Sequence, residues 1–180
     1  MYNKQASGQQ GFTLVELLIV IAIIAIVASI AVPSMTSFVN KNRVKRAAEE
    51  VYGLVTKARA EGVIRDKNMS VALTVVDEDE WCLGYADVVG CDCTEGDLTV
   101  ADACDVFVGD TRVQQVITSS GFDGVAMIGN NVTFNFVKGT ASTGNVTLTS
   151  GDWSLKILVS GVGRVRICGP NANLMGYPAC

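Results

Sequence analysis

The chain has 180 residues, 49% of them hydrophobic, with 14 Lys and Arg against 18 Asp and Glu for a net charge of −4. It contains no His, which removes the commonest general base and a common metal ligand. With no nucleophile elbow, P-loop or dinucleotide-binding glycine fingerprint either, enzyme activity and a bound cofactor are not expected.

Residues 1–11, MYNKQASGQQG, are polar with a single Lys, and an apolar stretch follows them. A secretory signal peptide places its apolar stretch before the cut, so this leader is of another kind. Residues 11–32, GFTLVELLIVIAIIAIVASIAV, are long enough for a membrane helix, since about 20 apolar residues span the ~30 Å hydrocarbon core. Glu16 lies inside this run, where a buried charge costs at least ~2.5 kcal/mol, so it is read as a functional residue. Gly11-Phe12-Thr13-Leu14-Val15-Glu16, with the apolar run behind it, resembles the processing site of type IV pilins and type II secretion pseudopilins. The resemblance implies cleavage after Gly11 by a prepilin peptidase, methylation of the new Phe12 amine, and retention of the helix in the bacterial inner membrane. An amine on Phe12 lies about one helical turn from the Glu16 carboxylate. Between staggered subunits, Glu16 of one chain is expected to meet the Phe12 amine of the next, offsetting much of the desolvation cost. Glu16 then sets assembly register and has no catalytic role.

Pro33 removes a backbone N–H, which predicts a kink or local unwinding after the apolar run. A helix then resumes, with Val44, Ala48, Val51, Leu54 or Val55, and Ala58 at three- and four-residue spacing on one stripe. Gly62 is the expected stop. From Met69 the period changes to two: Val71, Leu73 and Val75 alternate with polar or small neighbours as a strand. Asp77-Glu78-Asp79-Glu80 forms an acidic turn, and Trp81 to Ala86 returns as a second strand. Residues 87–105 read as a loop, and further strands are expected at 106–108, 113–117, 132–137, 145–149, 153–159 and 164–168. One long helix followed by antiparallel strands indicates an α+β fold with the helix on a sheet face.

The second half resembles the H-type pseudopilin and FimT/FimU minor-pilin domain through VTFNFVKG at 132–139, Val146-Thr147-Leu148, and Ile157 to Val165 with its Gly163-Arg164. A pilin-like fold follows from that resemblance. It implies a leader at 1–11, a transmembrane or fibre-core helix at 12–33, an amphipathic helix at 34–62 and a β-rich periplasmic domain at 63–180.

Six Cys in so short a chain fit an oxidising compartment such as the periplasm. Cys168 and Cys180 flank a turn-rich tail, where a bridge would pin the C-terminus to the last strand. Cys82, Cys91, Cys93 and Cys104 then pair among themselves. Cys91 and Cys93 are too close to bridge each other comfortably, so 82–91 with 93–104 is the first expectation. A zinc site around Cys91-Asp92-Cys93 lacks both His and the C-x₂-C spacing.

Charge is uneven along the chain. Residues 41–67 hold eight Lys/Arg against four acids, 77–123 hold one Arg against twelve acids, and 124–180 hold four Lys/Arg against one Asp. The acidic segment offers Asp92, Glu95, Asp97, Asp102 and Asp105 as calcium ligands, although no D-x-[DN]-x-[DN]-G loop is present. In Gly163-Arg164-Val165-Arg166 the two arginines fall on one strand face and could contact successive phosphates. FimT-group members implicated in DNA uptake carry a similar Gly-Arg-x-Arg element. The alternative is that both arginines pair with acids of the same or an adjacent subunit, and the negative overall charge favours this second reading.

Three functions follow as expectations. The first is a minor pilin that helps initiate or cap a type IV pilus. The second is the H-type pseudopilin of a type II secretion system, and the third a pilus-tip DNA receptor. The implied partners are other pilin or pseudopilin subunits, the prepilin peptidase, the inner membrane and, through Arg164 and Arg166, DNA.

Overall fold

The computed structural model describes residues 12–170 and 176–180. Gly11, where processing is expected, lies outside the described residues. The chain divides into two compact units, Met1–Ser37 and Phe38–Cys180. One helix, α1 (Leu14–Arg65, 52 residues), contributes to both.

In the first unit every described side chain from Phe12 to Ile30 is exposed. The apolar window of α1 is long enough to cross a membrane, and none of it is buried. An apolar helix in that condition requires lipid or neighbouring helices around it. The helix continues unbroken through Pro33, so the unwinding expected there does not occur. A single proline removes one i→i−4 bond, and the bonds on either side suffice to carry the helix past it.

In the second unit α1 buries Val44, Ala47, Ala48, Val51, Leu54, Val55 and Ala58. The helix runs past Gly62 to Arg65, which corrects the expected stop. Asp66 takes a left-handed φ of 54°, and the Lys67 N–H donates to the Gly62 carbonyl at 3.1 Å. These are the elements of a Schellman end, with Asp in the place that Gly usually fills.

The strands follow as β1 (Met69–Val75), β2 (Trp81–Ala86), β3 (Asp105–Val108), β4 (Thr111–Gln114), β5 (Val116–Thr118), β6 (Ala126–Gly129), β7 (Val132–Asn135), β8 (Thr140–Ala141), β9 (Gly144–Ser150), β10 (Trp153–Val159) and β11 (Val165–Cys168). They form a five-stranded sheet ordered β5-β2-β1-β7-β8, a four-stranded sheet ordered β11-β10-β9-β6, and the β3-β4 hairpin. All strand pairs are antiparallel. One core joins α1 to both larger sheets through Val71, Leu83 and Tyr85 on one side and Leu148, Leu155, Ile157 and Val159 on the other.

Three details depart from the sequence reading. The strand expected at 113–117 is two strands, β4 and β5, divided at Gln115. Gln115 turns its backbone away to accept from the Tyr85 N–H and to donate to Cys104. The short strands β6 and β8 are additional, and neither is long enough to show an alternating pattern.

Candidate assembly site and arginine cleft

The head of α1 is built by three residues. Thr13 immediately precedes the helix, and its hydroxyl accepts from the Glu16 N–H at 3.2 Å. Glu16 Oε2 in turn accepts from the Thr13 N–H at 2.8 Å and from the Thr13 hydroxyl at 2.9 Å. This reciprocal pair is a capping box, which satisfies two of the amide donors left free at a helix start. The T-x-x-E spacing at 13–16 is its signal, and the sequence reading did not use it. Glu16 therefore has a task within its own chain: it closes the first turn and places negative charge at the positive end of the helix dipole. Phe12, just outside the helix, is 91% exposed.

The six cysteines form three bridges: Cys82–Cys93, Cys91–Cys104 and Cys168–Cys180. The expected pairing of 82–91 with 93–104 is thus corrected. Segment 87–104 folds back over the outer face of β2, where Cys82 and Ala86 share a small apolar cluster with Cys91, Cys93, Cys104 and Ala72. Asp92 forms a parallel bridge with Ala103, and its N–H donates to the Asp102 carbonyl at 2.6 Å. Cys91 and Cys93 flank that bridged residue, with Cys93 joined to Cys82 on β2 and Cys91 to Cys104 at the end of the segment.

The acids proposed as calcium ligands do not converge. Asp92 Oδ1 accepts from the Thr94 N–H and hydroxyl, and Asp97 Oδ1 accepts from those of Thr99. The Thr94 and Thr99 hydrogen bonds hold the carboxyls of Asp92 and Asp97 below the usual range. Asp105 is buried and binds Arg112 through both oxygens, at 2.5 and 2.8 Å. Among the described residues no group of three or more His, Cys, Asp or Glu gathers to hold a metal ion.

Arg164 and Arg166 stand on the outer face of the four-stranded sheet, because Val165 and Ile167, which alternate with them, turn inward against the core. Arg166 is paired in register with Leu158. The turn before β11 is tied by Ser160, whose N–H donates to the Arg164 carbonyl at 3.0 Å and whose hydroxyl accepts from the Arg164 N–H at 3.2 Å. Both arginines line an open cleft of about 510 Å³, together with Asn130, Asn145, Ser160 and Val162. The four side-chain ion pairs described are Lys45–Glu49, Arg65–Glu61, Lys67–Asp87 and Arg112–Asp105, and none includes either cleft arginine. Pairing with acids of the same subunit is therefore absent among the described residues.

Residues 6–32 match the family described as the prokaryotic N-terminal methylation motif, and residues 47–163 match the type II transport protein GspH family. Two fimbrial proteins of Pseudomonas aeruginosa are each 33% identical over 79 residues, covering 44% of this chain and 50% of the relative. The chain thus spans about half the length of the fimbrial proteins it matches. Among solved structures, the type IV minor pilin FimU of P. aeruginosa is similar with a TM-score of 0.45 and 17% identity, over 72% of this chain and 91% of that one. The minor pseudopilin EpsH from the type 2 secretion system of Vibrio cholerae has a TM-score of 0.48 and 12% identity, over 71% of this chain and 98% of that one.

Proposed function

The chain belongs to the type II transport protein GspH family and is a structural pilin-type subunit, not an enzyme; from this premise we propose that it is a minor pilin acting in initiation or tip assembly of a type IV pilus. The observation that carries the reading is the head of α1. A capping box holds Glu16 at the first turn of a helix whose membrane-length apolar window is unburied in the single chain. Cleavage after Gly11 by the prepilin peptidase leaves a methylated Phe12 amine. The chain then waits in the inner membrane with its disulfide-bonded domain in the periplasm. On assembly the helix exchanges lipid for neighbouring helices, and the Phe12 amine of one subunit meets Glu16 of another.

Intact-mass and N-terminal peptide analysis of the membrane-extracted protein tests the maturation step. The expected mature chain starts at methylated Phe12, and a chain still starting at Met1 would overturn the reading.

A second reading is the pseudopilus of a type II secretion system, favoured by the description of the matched family itself. Deleting the gene separates the two: loss of pili with normal secretion supports the first, loss of secretion with normal pili the second. Contact of Arg164 and Arg166 with DNA is the weaker reading of that cleft, since a chain of net charge −4 lacks the broad basic field a dominant DNA grip requires.

A further inference from the structure

We infer that the arginine cleft is a docking socket for a second copy of this chain, which inserts its acidic β1–β2 turn. The inference rests on the reading of the chain as an assembling subunit and adds a contact between the β domains.

The socket is cationic, and none of its cations meets a counter-charge among the described residues. Lys156 and Leu158 point outward from β10, since Leu155, Ile157 and Val159 turn into the core. Lys156 pairs with Cys168 and Leu158 with Arg166, so Lys156, Arg166 and Arg164 share one face. No outward strand position of this sheet carries an acid: β9 presents Asn145, Thr147 and Thr149 there, and β6 presents Ile128. None of the three cations has an ion pair among the described residues.

The turn is its complement in charge. Asp77, Glu78, Asp79 and Glu80 are consecutive and exposed at the tip of the β1–β2 hairpin. The Val76 and Asp77 N–H groups donate to the Glu80 carbonyl at 2.8 and 3.1 Å, and the Glu80 N–H donates to the Asp77 carbonyl at 3.2 Å. These bonds close the tip on itself, and its four acidic residues are exposed. None of these four acids has an ion pair among the described residues, whereas Asp92, Asp97 and Asp105 are engaged by Thr94, Thr99 and Arg112. The tip also exposes Val76, at 56%, and the cleft exposes Val162, at 71%. An apolar contact is therefore available beside the ionic one. Socket and tip are different surfaces of one chain, so the contact between the two copies is heterologous.

The test uses the full-length chain in a neutral detergent, with association measured by sedimentation velocity at low salt and at rising salt. Wild type should self-associate, and its association should weaken as salt screens the contact. R164E/R166E sets a Glu socket against its own acidic tip, and D77K/E78K/D79K/E80K sets a Lys tip against its own Arg socket. Each variant alone should lose association. An equimolar mixture should recover it, because both cross-contacts between the two variants are complementary. Recovery in the mixture also shows that each variant is folded. Salt-insensitive association in all samples, or a mixture that stays dissociated, overturns the inference. So does an R164E/R166E variant that self-associates normally but loses binding of a duplex DNA probe, which would make the cleft a polyanion site. Incorporation of Glu16→Gln into fibres is scored separately. Its loss alongside a failed mixing test leaves the helix reading standing without the socket, and its retention alongside a successful mixing test does the reverse.

Discussion

The phenol of Tyr177 donates to Glu49 Oε1 at 2.7 Å, joining the C-terminal tail to α1 across a sequence separation of 128. The Tyr177 ring also packs against the core, and the Cys168–Cys180 bridge closes the tail behind it. The Gly169 N–H donates to the Pro178 carbonyl at 2.8 Å, and the Cys180 N–H to the Gly169 carbonyl at 3.0 Å. The tail is thus fastened to the edge of the four-stranded sheet and to the helix at once.

Alkaline pH should act on this fastening. Burial, then the hydrogen bond and charge of Glu49, push Tyr177 up to about 12. Burial, with a further rise from the charge of Glu61 and opposed by Arg65, pushes Tyr85 up to about 12. A phenol in the unfolded chain titrates near ~10, so between these values the unfolded state sheds protons that the folded state keeps. The stability these tyrosines contribute is whole below pH ~10 and is lost as pH rises towards ~12. Ultraviolet titration of tyrosinate should show two late phenols, and Tyr177→Phe should remove one of them. At neutral pH that substitution keeps the ring and should cost about 1 kcal/mol or less, because Glu49 is exposed. Urea denaturation with an unchanged m-value would register it.

The two tasks of Glu16 can be separated by substitution. Glu16→Gln retains a capping-box acceptor and removes the charge, whereas Glu16→Leu removes both. Thr13→Ala removes the hydroxyl of the cap and should cost about 1 kcal/mol at the helix start. Both Glu16 variants should insert into membrane at least as well as wild type, because the charge penalty is gone. Both should be depleted from fibres if the carboxylate meets a Phe12 amine, while Thr13→Ala should incorporate. Normal incorporation of Glu16→Gln in fibre fractionation would leave Glu16 with its capping role alone.

Gly84 is the tightest point beneath the disulfide loop. A Cβ there would stand 2.6 Å from Cys104 Cβ, 2.7 Å from its Sγ and 3.1 Å from the Gln115 carbonyl. Gly84→Ala should therefore displace the Cys91–Cys104 bridge from β2 and cost about 1–3 kcal/mol, as overpacking does elsewhere. Gly96→Ala, with no atom within 4 Å of the added carbon, is the control and should be close to neutral. Thermal unfolding of the two variants tests the contrast, and equal midpoints would contradict it.

The three bridges should also differ in access to reductant. Cys91, Cys93, Cys104 and Cys82 are all buried, whereas Cys180 is exposed. Graded reduction followed by alkylation and peptide mapping should label Cys168 and Cys180 first. Opening that bridge, which spans a sequence separation of 12, should cost roughly 3 kcal/mol by loop-closure reasoning. Early labelling of Cys91 or Cys104 would mean that the loop over β2 opens before the tail does.

What can be read without a structure is what depends on near neighbours in sequence. The apolar run to Val32, the stripe from Val44 to Ala58 and the two-residue alternation of β1 and β10 are periodic patterns that side-chain direction alone imposes. The capping box at Thr13 and Glu16 was equally local, and its spacing was in view. Tertiary structure decided whatever joins distant segments. The partners of Cys82 and Cys91 depend on how segment 87–104 lies across β2, and no spacing rule contains that path. The helix passes Gly62 to Arg65, and Asp66 takes the left-handed turn that glycine usually takes. Strand β6, four residues long, exists through its pairing with β9. The chain carries 18 acids, yet the outward strand positions that Arg164 and Arg166 share hold none. Charge counts along a sequence carry no direction, and direction is what the fold supplied.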